Sequence, residues 1–173
     1  MQQIQKTVIK KEGKYLKKFL NEHFVYEANA LYFAMVKLHD QDKIENKNQD
    51  EINMALESFL FHGRNLIEFF YYKNDAENYS RAFHFIEKDE WLKIRPKKTK
   101  QISEVQDRSN KEIVHLTYDR IAGSPPEKNW NCSNTFGDFL EIIKIFLNQL
   151  PKKYYEDKII NLKNNINEVK NIK

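Results

Sequence analysis

At 173 residues the chain is long enough for one ordinary domain with a buried core. Hydrophobic residues at 40% beside 31% charged residues exclude a disordered chain, and a single cysteine excludes an internal disulfide. The net charge of +4 permits an anionic partner but falls short of the footprint of a strongly basic nucleic-acid binder.

Gly and Pro number only four each, which favours helices over a turn-rich β architecture. No stretch approaches the ~20 apolar residues of a membrane span, and Met1–Lys11 lacks the apolar middle of a signal peptide. The chain therefore reads as cytoplasmic. No glycine-rich phosphate loop or other cofactor motif occurs, so no cofactor is expected.

Residues 1–12 are polar and read as a frayed segment ahead of a single helical-bundle domain over 13–173. Between Lys14 and His39, apolar residues such as Leu16, Phe19, Leu20, Phe24 and Leu31 recur at threes and fours, a long first helix. Asp40–Asp50 is a polar connection. Ile52, Leu56, Phe59, Leu60, Leu66, Ile67 and Phe70 mark a second helix, with Gly63 as a close-packing point against a neighbour. Asn74 and Asp75 close it and can cap a short third helix at about 76–90. Trp91–Gln101, with Pro96 and dense charge, reads as a loop. A helix from Ser103 to Ile121 follows, Ser103 as N-cap and Gly123 as its end. After a loop over 124–135, Thr135 caps a helix carrying Phe139, Ile143 and Phe146. Pro151 opens a last one through Ile159, Leu162 and Ile166. Short connections between helices imply antiparallel neighbours, hence an all-α, up-and-down bundle of about five helices.

The chemical lead lies in Arg108–Asp119, RSNKEIVHLTYD. Arginine is scarce here, 5 against 24 lysines, and a guanidinium can grip phosphate bidentately. On a helix, a spacing of seven returns to within ~20° of the starting direction, which puts Arg108 and His115 on one face ~10 Å apart along the axis. Glu112 lies between them. A histidine titrating near neutrality can move a proton on or off a ribose 2′-hydroxyl or a leaving 5′-oxygen. A guanidinium can hold the phosphate and stabilise the charge developing on it, so this chemistry needs no metal. The bland alternative pairs Arg108 with Glu112 at the helix surface.

An Arg and a His separated by six residues, in the polar string Asn110-Lys111-Glu112-Ile113-Val114-His115 of an all-α chain, resembles the HEPN domain (higher eukaryotes and prokaryotes nucleotide-binding). The likeness covers about residues 14–150, and this helix is its one specific motif. It implies a homodimer whose Arg/His helices face each other, and RNA cleavage by 2′-hydroxyl attack. Arg108 would be the phosphate-binding group and His115 the proton-transfer group. It also implies a toxin or defence component, with an antitoxin or other protein partner. Thr117 stands where toxin members of the family carry a tyrosine, and Tyr118 follows it.

Supporting residues are expected in Asn110 and Glu112, and in Arg64 and Glu68, which either form a plain intrahelical ion pair or orient the Arg/His pair from the neighbouring helix. Trp91, Lys93, Arg95, Lys97, Lys98 and Lys100 enter the Arg108 helix directly. They combine basic groups with an indole, as single-stranded RNA binding requires, unless Trp91 packs inward and leaves a solvated charged loop. Five histidines raise a metal site, with His23 and Glu27 on one face and His62 or His115 approaching from other helices, but no metal-binding motif occurs and none is expected. Cys132 has no sequence-local base to make it a nucleophile. The competing reading of the whole chain is a non-catalytic protein-interaction bundle.

Overall fold

A computed structural model of the chain describes residues 13–74, 79–109 and 130–168. It is an all-α helical bundle, with no strand among the described residues. The first rod comprises α1 (Gly13–Phe19), a π-helical turn (Leu20–Phe24) and α2 (Val25–Asp42). The widened turn has a local cause. The Asn21 side-chain amide donates to the Lys17 carbonyl at 2.9 Å, competing for an acceptor of the ordinary ladder, while the Val25 N–H reaches back to the Leu20 carbonyl.

A short polar connection leads to α3 (Gln49–Tyr71), which returns along α2. Its start is tightly specified: Asn48 Oδ1 accepts from the backbone N–H groups of Asp50 and Glu51. Buried Gln41 accepts from the Asn48 backbone N–H and donates to Glu51, tying the end of α2 to the start of α3.

The expected helix over 76–90 is corrected by the structure. Residues 75–78 lie outside the described set, and Ala82–His84 form a single 3-10 turn. Arg81 is extended, and its backbone N–H donates to the His84 ring, so no α-helical ladder runs through this point. The helix is instead α4 (Lys88–Ile94), capped by the Glu87 carboxylate. The loop expected from Trp91 is likewise shorter, because the indole is drawn into the core and takes Leu92–Ile94 into the helix. Arg95 ends it in an extended conformation, as the residue before Pro96 must.

Thr99, not Ser103, caps α5 (Lys100–Arg108): its hydroxyl accepts from the Ile102 N–H and donates to Asp138 at 2.6 Å. Ser103 sits within the helix, donating to the Thr99 carbonyl. The expected continuation to Ile121 and its Gly123 terminus lie outside the described residues. The next helix among the described residues, α6 (Cys132–Gln149), is capped by Asn131 rather than Thr135, whose hydroxyl donates back to the Asn131 carbonyl. Pro151 precedes a 3-10 turn (Lys152–Tyr154), after which α7 (Asp157–Glu168) closes the bundle. Tyr155 stands between them, its hydroxyl bonded to the Leu147 carbonyl.

The core is aromatic. Phe146 on α6 is its hub, with ring centroids of Phe24, Phe69, Phe70 and Trp91 within 5.0–5.8 Å. The expected close approach at Gly63 is present: a Cβ there would meet the Phe139 ring at 3.2 Å and Val105 at 3.6 Å. Gly63 thus lets α3 seat against α5 and α6 and so fixes the helix that carries Arg108. No helix among the described residues is long and apolar enough to cross a membrane.

Candidate nucleic-acid interface

Arg108 occupies the last turn of α5, whose buried face is formed by Ile102 and Val105. Ser109 follows in a buried position, its backbone N–H bonded to the Val105 carbonyl. The Arg108 guanidinium lies over the Trp130 indole, 3.9 Å from the ring centroid. Cation–π stacking at a half-buried position contributes about 0.5–2 kcal/mol and holds a side chain that would otherwise sample many rotamers. Trp130 stands just before α6, so the pair ties α5 to the start of α6. His115, Asn110 and Glu112 lie outside the described residues.

Basic residues flank α5 on its N-terminal side. Lys93, Lys97 and Lys100 are exposed, and Lys100 approaches Glu104 at 3.7 Å. Arg95 and Lys98 are more constrained. Arg95 donates to the Phe70 carbonyl at 2.9 Å, and both cations lie over the Tyr71 ring. Lys98 also donates to the Gln106 side chain on α5. Burial depresses both side chains' pKa below its ordinary value, against the Tyr71 charge for Arg95 and the Asp107 charge for Lys98.

Trp91 is corrected as a stacking platform. It is 0% exposed, and its indole N–H donates to the same Phe70 carbonyl that Arg95 uses. An indole carries more apolar surface than any other side chain, and with its polar edge satisfied it gains most from full burial. Trp130, in the segment expected as a loop over 124–135, is the indole beside the candidate arginine. Its signal was present: the second tryptophan of the chain in an otherwise polar segment.

Arg64 and Glu68 form the plain reading's intrahelical pair at 3.5 Å, both partly exposed. Such a pair contributes about 0.3–0.5 kcal/mol. On the other side of α3, His62 Nδ1 lies 2.7 Å from the Glu27 carboxylate, which also accepts from the Asn65 amide at 3.1 Å. This cluster brings His62 to Glu27, as the metal reading anticipated, but among the described residues no three His, Cys, Asp or Glu side chains converge on one point. Burial pushes the Cys132 thiol up to about 12, so it is protonated at neutral pH and unsuited to nucleophilic attack.

Beside His62 opens a cleft of about 540 Å³ between α2 and α3, lined by Tyr26, Phe33, Lys37, Met54 and Ser58 among others. Phe33 and Met54 are each 62% exposed there.

No protein-family model, curated protein or solved structure matched the chain.

Proposed function

We propose that this bundle binds RNA and cleaves it without a metal, in the manner of the HEPN domains it resembles. Arg108 holds the scissile phosphate and His115 transfers the proton. The ribose 2′-oxygen attacks phosphorus, the bond to the 5′-oxygen breaks, and the 2′-hydroxyl proton is replaced on the leaving oxygen through the imidazole. The products are a 2′,3′-cyclic phosphate and a 5′-hydroxyl.

The observation that carries this reading is the stack of Arg108 on Trp130. A guanidinium bonds phosphate through its edge and an aromatic ring through its face, so stacking orients the fork without competing for its N–H donors. Lys93, Lys97 and Lys100 supply the positive surface that a phosphate backbone would track toward it. A homodimer would set two such sites across a two-fold axis, in keeping with a toxin or defence component held by a protein partner.

The α2–α3 cleft favours a second reading, a non-catalytic protein-interaction bundle. Exposed Tyr26, Phe33 and Met54 form an apolar face of the kind that docks another protein. Incubation of the protein with single-stranded RNA, with and without chelator, separates the two. Cleavage untouched by chelator and absent in Arg108→Ala and His115→Ala supports the first. Inertness of all three proteins leaves the second.

A further inference from the structure

Arg81 is the most deeply buried cation among the described residues, 4% exposed. Its guanidinium lies over the rings of Tyr72 and Tyr79, at 5.1 and 4.8 Å, and one terminal nitrogen donates to the Ser80 carbonyl at 3.2 Å. Its Nε and the neighbouring Ser80 hydroxyl are buried with no hydrogen-bond partner. Among the described residues no carboxylate pairs with it. A buried, permanently charged guanidinium with an idle donor is costly unless something negative satisfies it.

Arg81 and Ser80 line a cavity of about 320 Å³ between the π-helical turn and α3. That volume suits a small molecule. Its floor is apolar, with Phe24, Leu66 and Phe69, and its remaining wall carries Glu27 and Glu68 beside His23 and Asn65. Both hydrogen bonds to Glu27 use Oε2, from His62 and Asn65, while the Glu68 contact with Arg64 is a loose 3.5 Å. One wall thus carries an unsatisfied guanidinium nitrogen and hydroxyl, and the other carries carboxylate oxygens. Two acidic side chains would repel a polyphosphate. They would favour a ligand with a cationic group beside its anionic one.

We infer that this cavity binds a free apolar α-amino acid, its carboxylate held by the Arg81 guanidinium and the Ser80 hydroxyl, its ammonium facing Glu27 and Glu68. The site is separate from the Arg108 surface and independent of RNA cleavage.

Calorimetric titration of the full chain with L-phenylalanine, L-leucine, 3-phenylpropionate and inorganic phosphate tests this. Saturable binding of an amino acid is expected, weakened at least about tenfold in Arg81→Gln and measurably in Ser80→Ala. Glu27→Gln should weaken L-phenylalanine and spare 3-phenylpropionate. Circular dichroism checks the fold of each variant, and Ser80→Ala alone carries the test where Arg81→Gln does not fold. Binding of phosphate alone, binding of no probe, equal binding of 3-phenylpropionate and L-phenylalanine, or amino-acid binding unchanged in folded variants would each overturn the assignment.

Discussion

Replacing Gly63 by alanine probes the contact that seats the Arg108 helix. In an ordinary helix interior this change stabilises by about 1 kcal/mol, because alanine loses less backbone entropy on folding. At Gly63 the new methyl would stand 3.2 Å from two atoms of the Phe139 ring and 3.6 Å from Val105. Phe139 is fully buried and packed edge-on to Phe59, so its ring has nowhere to retreat. Overpacking of this kind costs about 1–3 kcal/mol, which outweighs the helix gain and leaves a net loss of about 1 kcal/mol. For a chain of this length that lowers Tm by about 2–4 °C. Gly137 on α6 supplies the control, since a Cβ there meets nothing within 4 Å. Gly137→Ala should raise Tm by roughly 1–4 °C from the entropy gain alone. Thermal unfolding followed by circular dichroism reads both. A Gly63→Ala protein as stabilised as Gly137→Ala would refute the packing argument and free α5 from its proposed anchor.

Three further outcomes follow from local features. Asn48→Ala removes the acceptor for two backbone N–H groups at the start of α3 and should cost about 1 kcal/mol in urea unfolding, with an unchanged m-value. Burial lifts Cys132 from 9.0 and Tyr71 from 10.0, each to about 12. Both hold their protons more tightly folded than unfolded, so their contribution to stability is level below pH 9 and falls as pH rises toward 12. Urea midpoints should therefore decline above pH 9 less steeply in Cys132→Ala than in the parent protein. Native Cys132 should also react with a thiol reagent near pH 8 far more slowly than after denaturant is added.

Helical periodicity carried most of the fold. The apolar spacing of α2, α3 and α6 was legible because each is long and buries one face. Gly63 was legible as a contact because a glycine amid large apolar residues has little other use. The segment from Asn74 to Gln101 misled for a physical reason. Its apolar residues are evenly spaced, yet the Arg81 backbone is tied to the His84 ring, and a single large indole pulls the true helix several residues onward. Caps shifted by four residues at both Thr99 and Asn131, since the competing hydroxyls of Ser103 and Thr135 donate back to the carbonyls of those two cap residues. At the candidate site, Arg108 stands out by its scarcity and by its spacing from His115, which lies outside the described residues. Its aromatic partner does not, because Trp130 is 22 residues away in sequence and no periodicity links the two. Arg81, buried beside two tyrosines, gave no sign in the sequence, since burial of a lone arginine depends on tertiary packing.

The most direct measurement is end-group analysis of RNA incubated with the purified protein in excess chelator. Fragments ending in 2′,3′-cyclic phosphate with 5′-hydroxyl partners, formed by the parent protein and by neither Arg108→Ala nor His115→Ala, are the expected result. Fragments with 3′-hydroxyl ends, or cleavage that persists in His115→Ala, would contradict the proposed chemistry.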